Sequence, residues 1–207
     1  MDLNMTDPFA HLTRNNAADN NKQYILDALQ RLNLLKGKVV EIGSGPGQHG
    51  IHFCQHVSEL TWQPTEITSK LPLTLQWYEV SQKQGLTNYL KPFSFHIGRD
   101  TITASDFDLV YSANVLHIIS EELAQHLIKQ LVETMSQGQK LVCYGPFKQD
   151  GEYTSESNRD FDQWLFSEGY GGMQDLEDIP SWSDGKLSLL QVESMPANNF
   201  IVVYQKV

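Results

Sequence analysis

Apolar residues first fall at helical spacing at Ile25, Leu26, Leu29 and Leu32, which predicts a helix over residues 22–34 after a polar, Asn-rich and partly extended start over 1–20. The compact run 39–42, rich in β-branched residues and broken by Gly43, Gly45 and Gly47, predicts a buried strand. Helical spacing resumes at Ile51, Cys54 and Val57. A second strand is expected over 60–67, with a helix starting at Thr68 and carrying Leu75, Tyr78 and Val80. Residues 93–97 and 107–113 predict the third and fourth strands. Ser120 caps a helix running to Met135, with Glu121 and Glu122 in its first turn where the helix dipole favours acids. Gly138 ends that helix, and 141–144 forms the fifth strand. Residues 146–186 form an insertion with helical stretches near 161–166 and 176–182. The runs 187–192 and 200–204 close the chain as two strands.

Strand and helix alternate from residue 38 to 145, the pattern of a parallel sheet covered on both faces. The last two strands have no helix between them, so the final one must run antiparallel. The expectation is an α/β fold with a seven-stranded, mostly parallel sheet, an antiparallel last strand and helices on both faces. All 207 residues are expected to form one domain, with 1–24 and 146–186 as lid elements.

Composition narrows the partners. Hydrophobic residues make up 40% and charged residues 19%, which suits a globular chain. Fifteen Lys+Arg against twenty-five Asp+Glu leave a net charge of −10, which argues against nucleic acid or an anionic membrane surface as main partner. Ten acids and three bases fall within 146–186, so seven of the ten net negative charges sit there. That segment reads as a solvated helical surface or as a lid favouring neutral or cationic substrates. Cys54 and Cys143, far apart in apolar surroundings, fit a reducing compartment, and the first sixteen residues hold no apolar leader. A cytoplasmic location is the expectation.

The glycine loop carries the chemistry. In Val39-Val40-Glu41-Ile42-Gly43-Ser44-Gly45-Pro46-Gly47 a strand feeds a glycine turn that opens a helix. A phosphate-binding Walker loop would end in Gly-Lys-Ser/Thr, which is absent. A dinucleotide fingerprint would need glycine at Gln48. What remains, Glu-x-Gly-x-Gly-x-Gly, resembles motif I of the class I S-adenosylmethionine methyltransferases. A carboxylate at Glu41 suits a ligand carrying an ammonium and a sulfonium, and would repel a pyrophosphate. Under this resemblance Glu41, Gly43, Ser44, Gly45 and Gly47 hold the cofactor, S-adenosylmethionine, His49 flanks it, and Asn114 is expected to touch it as well. Glu66, at the end of the second strand, would take the ribose hydroxyls, or else serve only as a helix N-terminal acid. Asp100, after the third strand, stands where the methyltransferase fold often meets the adenine amino group; the alternative is a surface-turn Asp.

Further segments narrow the resemblance. They are Trp62-Gln63-Pro64, Asn114-Val115-Leu116-His117-Ile118, Tyr144-Gly145-Pro146-Phe147 with Thr154-Ser155-Glu156-Ser157-Asn158 and Phe161-Asp162, and Met195-Pro196-Ala197-Asn198-Asn199. With the glycine loop they resemble the methyltransferase-like 26 family across residues 14–206, which implies a Rossmann-like class I methyltransferase fold. Two positions depart from that family: Asp19-Asn20-Asn21-Lys22 stands where Glu-Arg-Asn-Lys is usual, and Glu66 replaces an Asp.

In parallel α/β sheets ligands bind beyond the carboxyl ends of the strands. Asn114 and His117 follow the fourth strand, Tyr144 to Phe147 the fifth, and Asn198 and Asn199 the sixth, so all should emerge beside the glycine loop. His117 is the candidate base, with Asn114, Asn198 and Asn199 as positioning groups. The alternatives are a helix-start histidine for His117, a hairpin turn for Asn198 and Asn199, and a helix N-cap for Asn158. His49, His52 and His56 have spacing that zinc accepts, but no carboxylate completes a set, so no metal site is expected. The expected activity is methyl transfer from S-adenosylmethionine to a small-molecule acceptor. The rivals are a non-catalytic S-adenosylmethionine-binding module for interaction or sensing, and a nicotinamide oxidoreductase, which Gln48 and Glu41 disfavour.

Overall fold

The computed structural model describes residues 7–207, so residues 1–6 of the expected lid lie outside it. The elements are, in order, α1 (Asn16–Arg31), β1 (Gly37–Ile42), α2 (Gln48–His56), β2 (Leu60–Glu66), α3 (Leu71–Lys83), β3 (Phe93–Ser94), β4 (Leu109–Ala113), α4 (Glu121–Thr134), β5 (Lys140–Gly145), β6 (Lys148–Gln149), β7 (Glu152–Tyr153), α5 (Glu156–Ser167), α6 (Asp178–Ser181), β8 (Leu187–Met195) and β9 (Asn199–Lys206).

Seven strands form one sheet in the order β3-β2-β1-β4-β5-β9-β8. Strands β1 to β5 pair in parallel, and β9 runs antiparallel to both β5 and β8. β1 lies between β2 and β4, so the chain winds outward from it in two directions. That reversal opens a crevice beyond the carboxyl end of β1, where such folds hold ligands.

Alternation along the strands sorts the core into two layers. Val39, Leu109, Tyr111, Val142 and Ile201 face one way and pack with Ile25, Leu29, Phe53 and Trp77 of α1, α2 and α3. Val40, Val110, Leu141, Cys143 and Val202 face the other and pack with Leu127, Ile128 and Leu131 of α4 and Ile179 of α6. Each fully buried Val, Ile or Leu contributes about 1.5–3 kcal/mol. Both faces of β4 are buried, which is why it carries no charged residue and reads as a mainly apolar run.

The departures from expectation have local causes. α1 begins at Asn16, six residues before the expected start, because the Asn15 side chain accepts from the Ala17 and Ala18 N–H groups. Its first turns are exposed or half-buried and carry no apolar stripe. α3 starts three residues after Thr68: residues 67–70 form a turn, with Lys70 N–H bonded to the Ile67 carbonyl, and Pro72 sits in the first helical turn. β3 keeps only two residues of the expected five. The hairpin β6–β7 was not expected. Its turn is Asp150-Gly151, with φ of 51° and 78°, the pair that a tight hairpin favours. The Ser120 cap is present, its Oγ accepting from Leu123 N–H. No helix among the described residues is long and apolar enough to cross a membrane.

Candidate functional site

The glycine loop is fastened from the β2 side. Ser44 N–H donates to the Thr65 carbonyl at 2.8 Å, Thr65 N–H to Ser44 Oγ at 3.2 Å, and Thr74 Oγ1 to the Gly45 carbonyl at 2.6 Å. Gly45 N–H donates to Glu66 Oε2 at 2.7 Å, and Glu66 Oε1 accepts from Ile67 N–H at 2.8 Å. The glycines do different work. A Cβ at Gly47 would collide with the Tyr89 hydroxyl, and one at Gly43 would lie 2.7 Å from Val115 Cγ2. At Gly45, with φ of +56°, a Cβ would meet nothing within 4 Å. Two glycines are required by packing, and the third leaves main chain bare to a cavity.

That cavity has a volume of about 870 Å³ and lies at the carboxyl ends of β1, β2 and β4. Its size falls near the top of the roughly 300–1,000 Å³ range of small-molecule sites. Glu41, Gly43, Ser44, Gly45, His49 and Glu66 line one side. Asn114, His117, Asn198 and Asn199 line the other. Gly47 and Asp100, also expected there, do not line it. Gly47 is the N-cap of α2 behind the loop, packed against Tyr89. Asp100 accepts from the His96 N–H at 2.8 Å and lies 3.1 Å from His96 Nδ1. These bonds to His96 hold its carboxyl below the usual carboxylate range. Phe95, His96 and Ile97 line the cavity in its place.

Glu41 is 1% exposed. Trp62 Nε1–H donates to its Oε2 at 2.9 Å, which gives the Trp62-Gln63-Pro64 segment a role in holding the acid. Burial pushes the Glu41 carboxyl up to about 7. His49 Nδ1 lies 3.9 Å from Glu41 Oε1, and His49 Nε2 is 2.7 Å from Asn21 Oδ1. Burial pushes His49 down to about 4, so its ring is neutral near pH 7. Asn21 lines the cavity from α1, whereas Asn20, at the position where the resemblance has Arg, is exposed. Asp19 pairs instead with Arg14 and Lys22. His52 is 3.0 Å from Gln23 Oε1, and His56 Nδ1 is 2.8 Å from the His52 carbonyl, so of these three histidines only His49 lines the cavity. Among the described residues no group of three or more His, Cys, Asp or Glu is placed to hold a metal ion.

Across the cavity, Asn114 adopts φ of +56°, a conformation Asn tolerates, and its N–H bonds the Tyr144 carbonyl at 2.8 Å. Asn114 Oδ1 and His117 Nδ1 each lie 3.6 Å from where a Gly145 Cβ would stand, so both side chains close over Gly145. Burial pushes His117 down to about 4. The Phe161 ring meets the His117 ring edge-on at 5.7 Å, and Gly172 N–H donates to the His117 carbonyl at 3.1 Å.

Two of the segments that carry the family resemblance touch each other. Asn158 Nδ2 donates to the Asn198 carbonyl at 3.0 Å, and Asn198 Nδ2 donates to Ser157 Oγ at 3.0 Å. Asn158 is therefore a buried bridge, and Ser155 caps α5, its Oγ accepting from Asn158 N–H at 3.1 Å. Asn199 Nδ2 donates to the Pro196 and Ala197 carbonyls at 3.1 Å each, fastening a turn in which Ala197 and Asn198 both have positive φ. Sequence reasoning also passed over Asn21, Phe161 and Tyr170 as lining residues. The Asn15 cap signal would have brought Asn21 onto a helix beside His49.

Residues 13–206 match the DUF938 family, described as a protein of unknown function. The chain belongs to that family. Among solved structures, this DUF938 chain is similar to an O-methyltransferase family 2 protein from Planctomyces limnophilus DSM 3776 in complex with apigenin, at 14% identity and a TM-score of 0.71, with 91% of this chain and 62% of that one covered. It is similar to human N-acetylserotonin methyltransferase in complex with S-adenosylmethionine, at 13% identity and a TM-score of 0.71, covering 92% and 52%. It is also similar to CalO1, a methyltransferase in calicheamicin biosynthesis in its S-adenosylhomocysteine-bound form, at 13% identity and a TM-score of 0.71, covering 92% and 55%. The DUF938 chain thus has the class I methyltransferase fold and spans little more than half the length of these proteins.

Proposed function

We propose that the chain binds S-adenosylmethionine against the glycine loop and moves its methyl group to a small-molecule acceptor held by the opposite wall. The observation that carries this is Gly45: bare main chain facing a large cavity, its N–H on a carboxylate, with no lysine or arginine in the loop. A phosphate ligand would meet Glu41 and Glu66 and be repelled. A ligand with an ammonium, a sulfonium and a ribose suits both acids. Solved structures with this fold and bound S-adenosylmethionine or S-adenosylhomocysteine support the same ligand.

When bound, S-adenosylmethionine supplies an activated methyl group on a sulfonium. The chain's part is to bind, orient and exclude water. Glu66 has lone pairs left for ribose hydroxyls after bonding Gly45 and Ile67, and Glu41 attracts the ammonium. His49 flanks the site, held by Asn21. Asp100 acts through His96 as a positioning residue. His117, neutral near pH 7, accepts a hydrogen bond or a proton from the acceptor, with Asn114, Asn198 and Asn199 orienting it. Residues 7–24 and 146–186 form the lid of a single domain. The segments shared with the methyltransferase-like 26 family support placing the chain with it. Cys54 and Cys143, both free and buried, favour a reducing, cytoplasmic setting.

Calorimetric titration tests the reading. S-adenosylmethionine and S-adenosylhomocysteine should bind, and NAD should not. Binding of NAD alone rejects it. Cofactor binding with no S-adenosylhomocysteine formed across acceptor pools turns the reading into a non-catalytic binding module.

A further inference from the structure

The cavity wall from Asn114 to Asn199 has no Asp, Glu, Lys or Arg among its described lining residues. Its polar groups are amides, a serine, the Tyr170 phenol and the His117 imidazole, neutral near pH 7. A chain of rings runs along it. His117 meets Phe161 edge-on, Phe161 stacks on Trp164 at 5.6 Å with planes 20° apart, and Trp164 lies 5.9 Å from Tyr170. Tyr170, Ile118 and Leu123 line the cavity and are 38%, 36% and 37% exposed, and Trp164, packed against Phe161 and Tyr170, is 48% exposed. Exposed apolar side chains along a cavity mark a binding surface. The flanking segment 146–186 carries ten acids against three bases, which disfavours an anion.

We propose that this wall binds an uncharged, planar aromatic small molecule, its ring packed against Phe161 and Tyr170 and a hydroxyl or amine turned toward His117 and Asn114. The ligand is the methyl acceptor, so the assignment rests on the methyl-transfer reading. Edge-to-face and offset contacts with Phe161 favour a flat ring over a saturated one of equal size by about two- to tenfold. The missing cation leaves a carboxylated ligand without a partner.

The test uses the full chain saturated with S-adenosylhomocysteine and titrated with four probes: 2-naphthol, 6-hydroxy-2-naphthoate, 2-decalol and cyclohexylammonium. Ligand-observed NMR reads the affinities. 2-Naphthol should bind at least tenfold tighter than the naphthoate and at least twofold tighter than 2-decalol and cyclohexylammonium. Phe161→Leu and Tyr170→Leu should each weaken 2-naphthol by two- to tenfold and leave S-adenosylhomocysteine affinity unchanged. Tyr170 is partly exposed, so its variant keeps the test open if Phe161→Leu does not fold. The proposal is overturned if the naphthoate, the decalol or the ammonium binds as tightly as 2-naphthol, or if neither variant changes 2-naphthol affinity. A separate titration without S-adenosylhomocysteine separates the two claims. Aromatic selectivity without any cofactor binding rejects methyl transfer and keeps the wall, and cofactor binding without aromatic selectivity does the reverse.

Discussion

Glu41, His49, Glu66, Lys70 and His96 put ionisable groups around the glycine-loop half of the cavity, whereas the half across from it offers amides, apolar side chains and one buried imidazole. The loop half hangs on strand β2 through hydrogen bonds that Ser44, Gly45 and Thr65 donate from their backbone N–H groups. The facing half is assembled from an insertion: Asn158 and Ser157 of α5 hold the Asn198 turn, and Gly172 holds His117. The difference teaches which half recognises by charge and which by shape. A ligand of fixed chemistry suits the first, and a uniform, uncharged partner suits the second. Variants on either side should therefore fail in different ways.

The largest effect is expected at the loop. Gly45→Val places a branched side chain in the one open direction of the loop, at a φ that costs a non-glycine residue about 1–2 kcal/mol. S-adenosylhomocysteine binding should be lost beyond a hundredfold, while 2-naphthol affinity in its absence stays within twofold. Calorimetry and NMR on one preparation read both. Unchanged S-adenosylhomocysteine affinity would place that ligand elsewhere.

Next comes pH, where Glu41 opposes His49 and His117. Burial raises the Glu41 carboxyl from 4.5 to about 7, so the fold favours its protonated form. That contribution is fully present below about pH 4.5 and is lost as pH rises to about 7. His49 and His117 are pushed from 6.5 down to about 4. Their contribution is present above about pH 6.5 and is lost as pH falls to about 4. Each is worth on the order of 3 kcal/mol at most. Ligand-free Glu41→Gln should thus be more stable than wild type at pH 8 and match it at pH 4.5, in urea melts at both values. The same variant should bind S-adenosylmethionine about tenfold more weakly at pH 8, and less so at pH 6, where wild-type Glu41 is itself mostly protonated. A parallel loss at both pH values would mean Glu41 shapes the loop and does not meet the ligand's charge.

Most of the sheet was legible because its strands are buried on both faces and read as apolar runs bounded by glycine or polar turns. The helix start at Asn16 was not, because capping and not periodicity decides it. The Asp150-Gly151 hairpin was missed although its turn pair stands in the sequence, since its strands are only two residues long. At the site, strand ends located Glu41, Glu66, Asn114 and His117, because topology alone brings them to one crevice. Asp100 stands outside the cavity lining for the opposite reason: β3 stops at Ser94, and the chain that follows turns back on itself through His96. Phe161 and Tyr170 belong to an insertion whose docking no periodicity encodes.

A loss short of that at Gly45 should come from Glu66. Losing an acceptor for the ribose costs roughly 1.5–3 kcal/mol, about ten- to a hundredfold in affinity. Glu66→Ala also frees the Gly45 N–H, so Glu66→Gln is the sharper variant, since its amide oxygen can still serve that donor. If the alanine variant weakens S-adenosylhomocysteine and the glutamine variant restores it fully, the acid acts through the loop. A loss common to both assigns the carboxylate to the ligand.

The smallest effects belong to the turn after β8, and they decide between a chemical and a purely architectural role for that side of the cavity. Asn199 already spends its amide on two carbonyls of its own turn, so Asn199→Ala should cost about 1 kcal/mol of stability and leave S-adenosylhomocysteine affinity unchanged. Asn198 is different, because its positive φ and its side-chain bond to Ser157 can be removed separately. Asn198→Gly keeps the backbone and deletes the amide, whereas Asn198→Ala deletes the amide and strains the backbone as well. If turnover falls equally in both, with cofactor affinity intact, the Asn198 amide orients the acceptor. If the glycine variant turns over like wild type and only the alanine variant is impaired, the turn needs its backbone shape alone, and the orienting role passes to Asn114 and His117, which close over Gly145 from the other side.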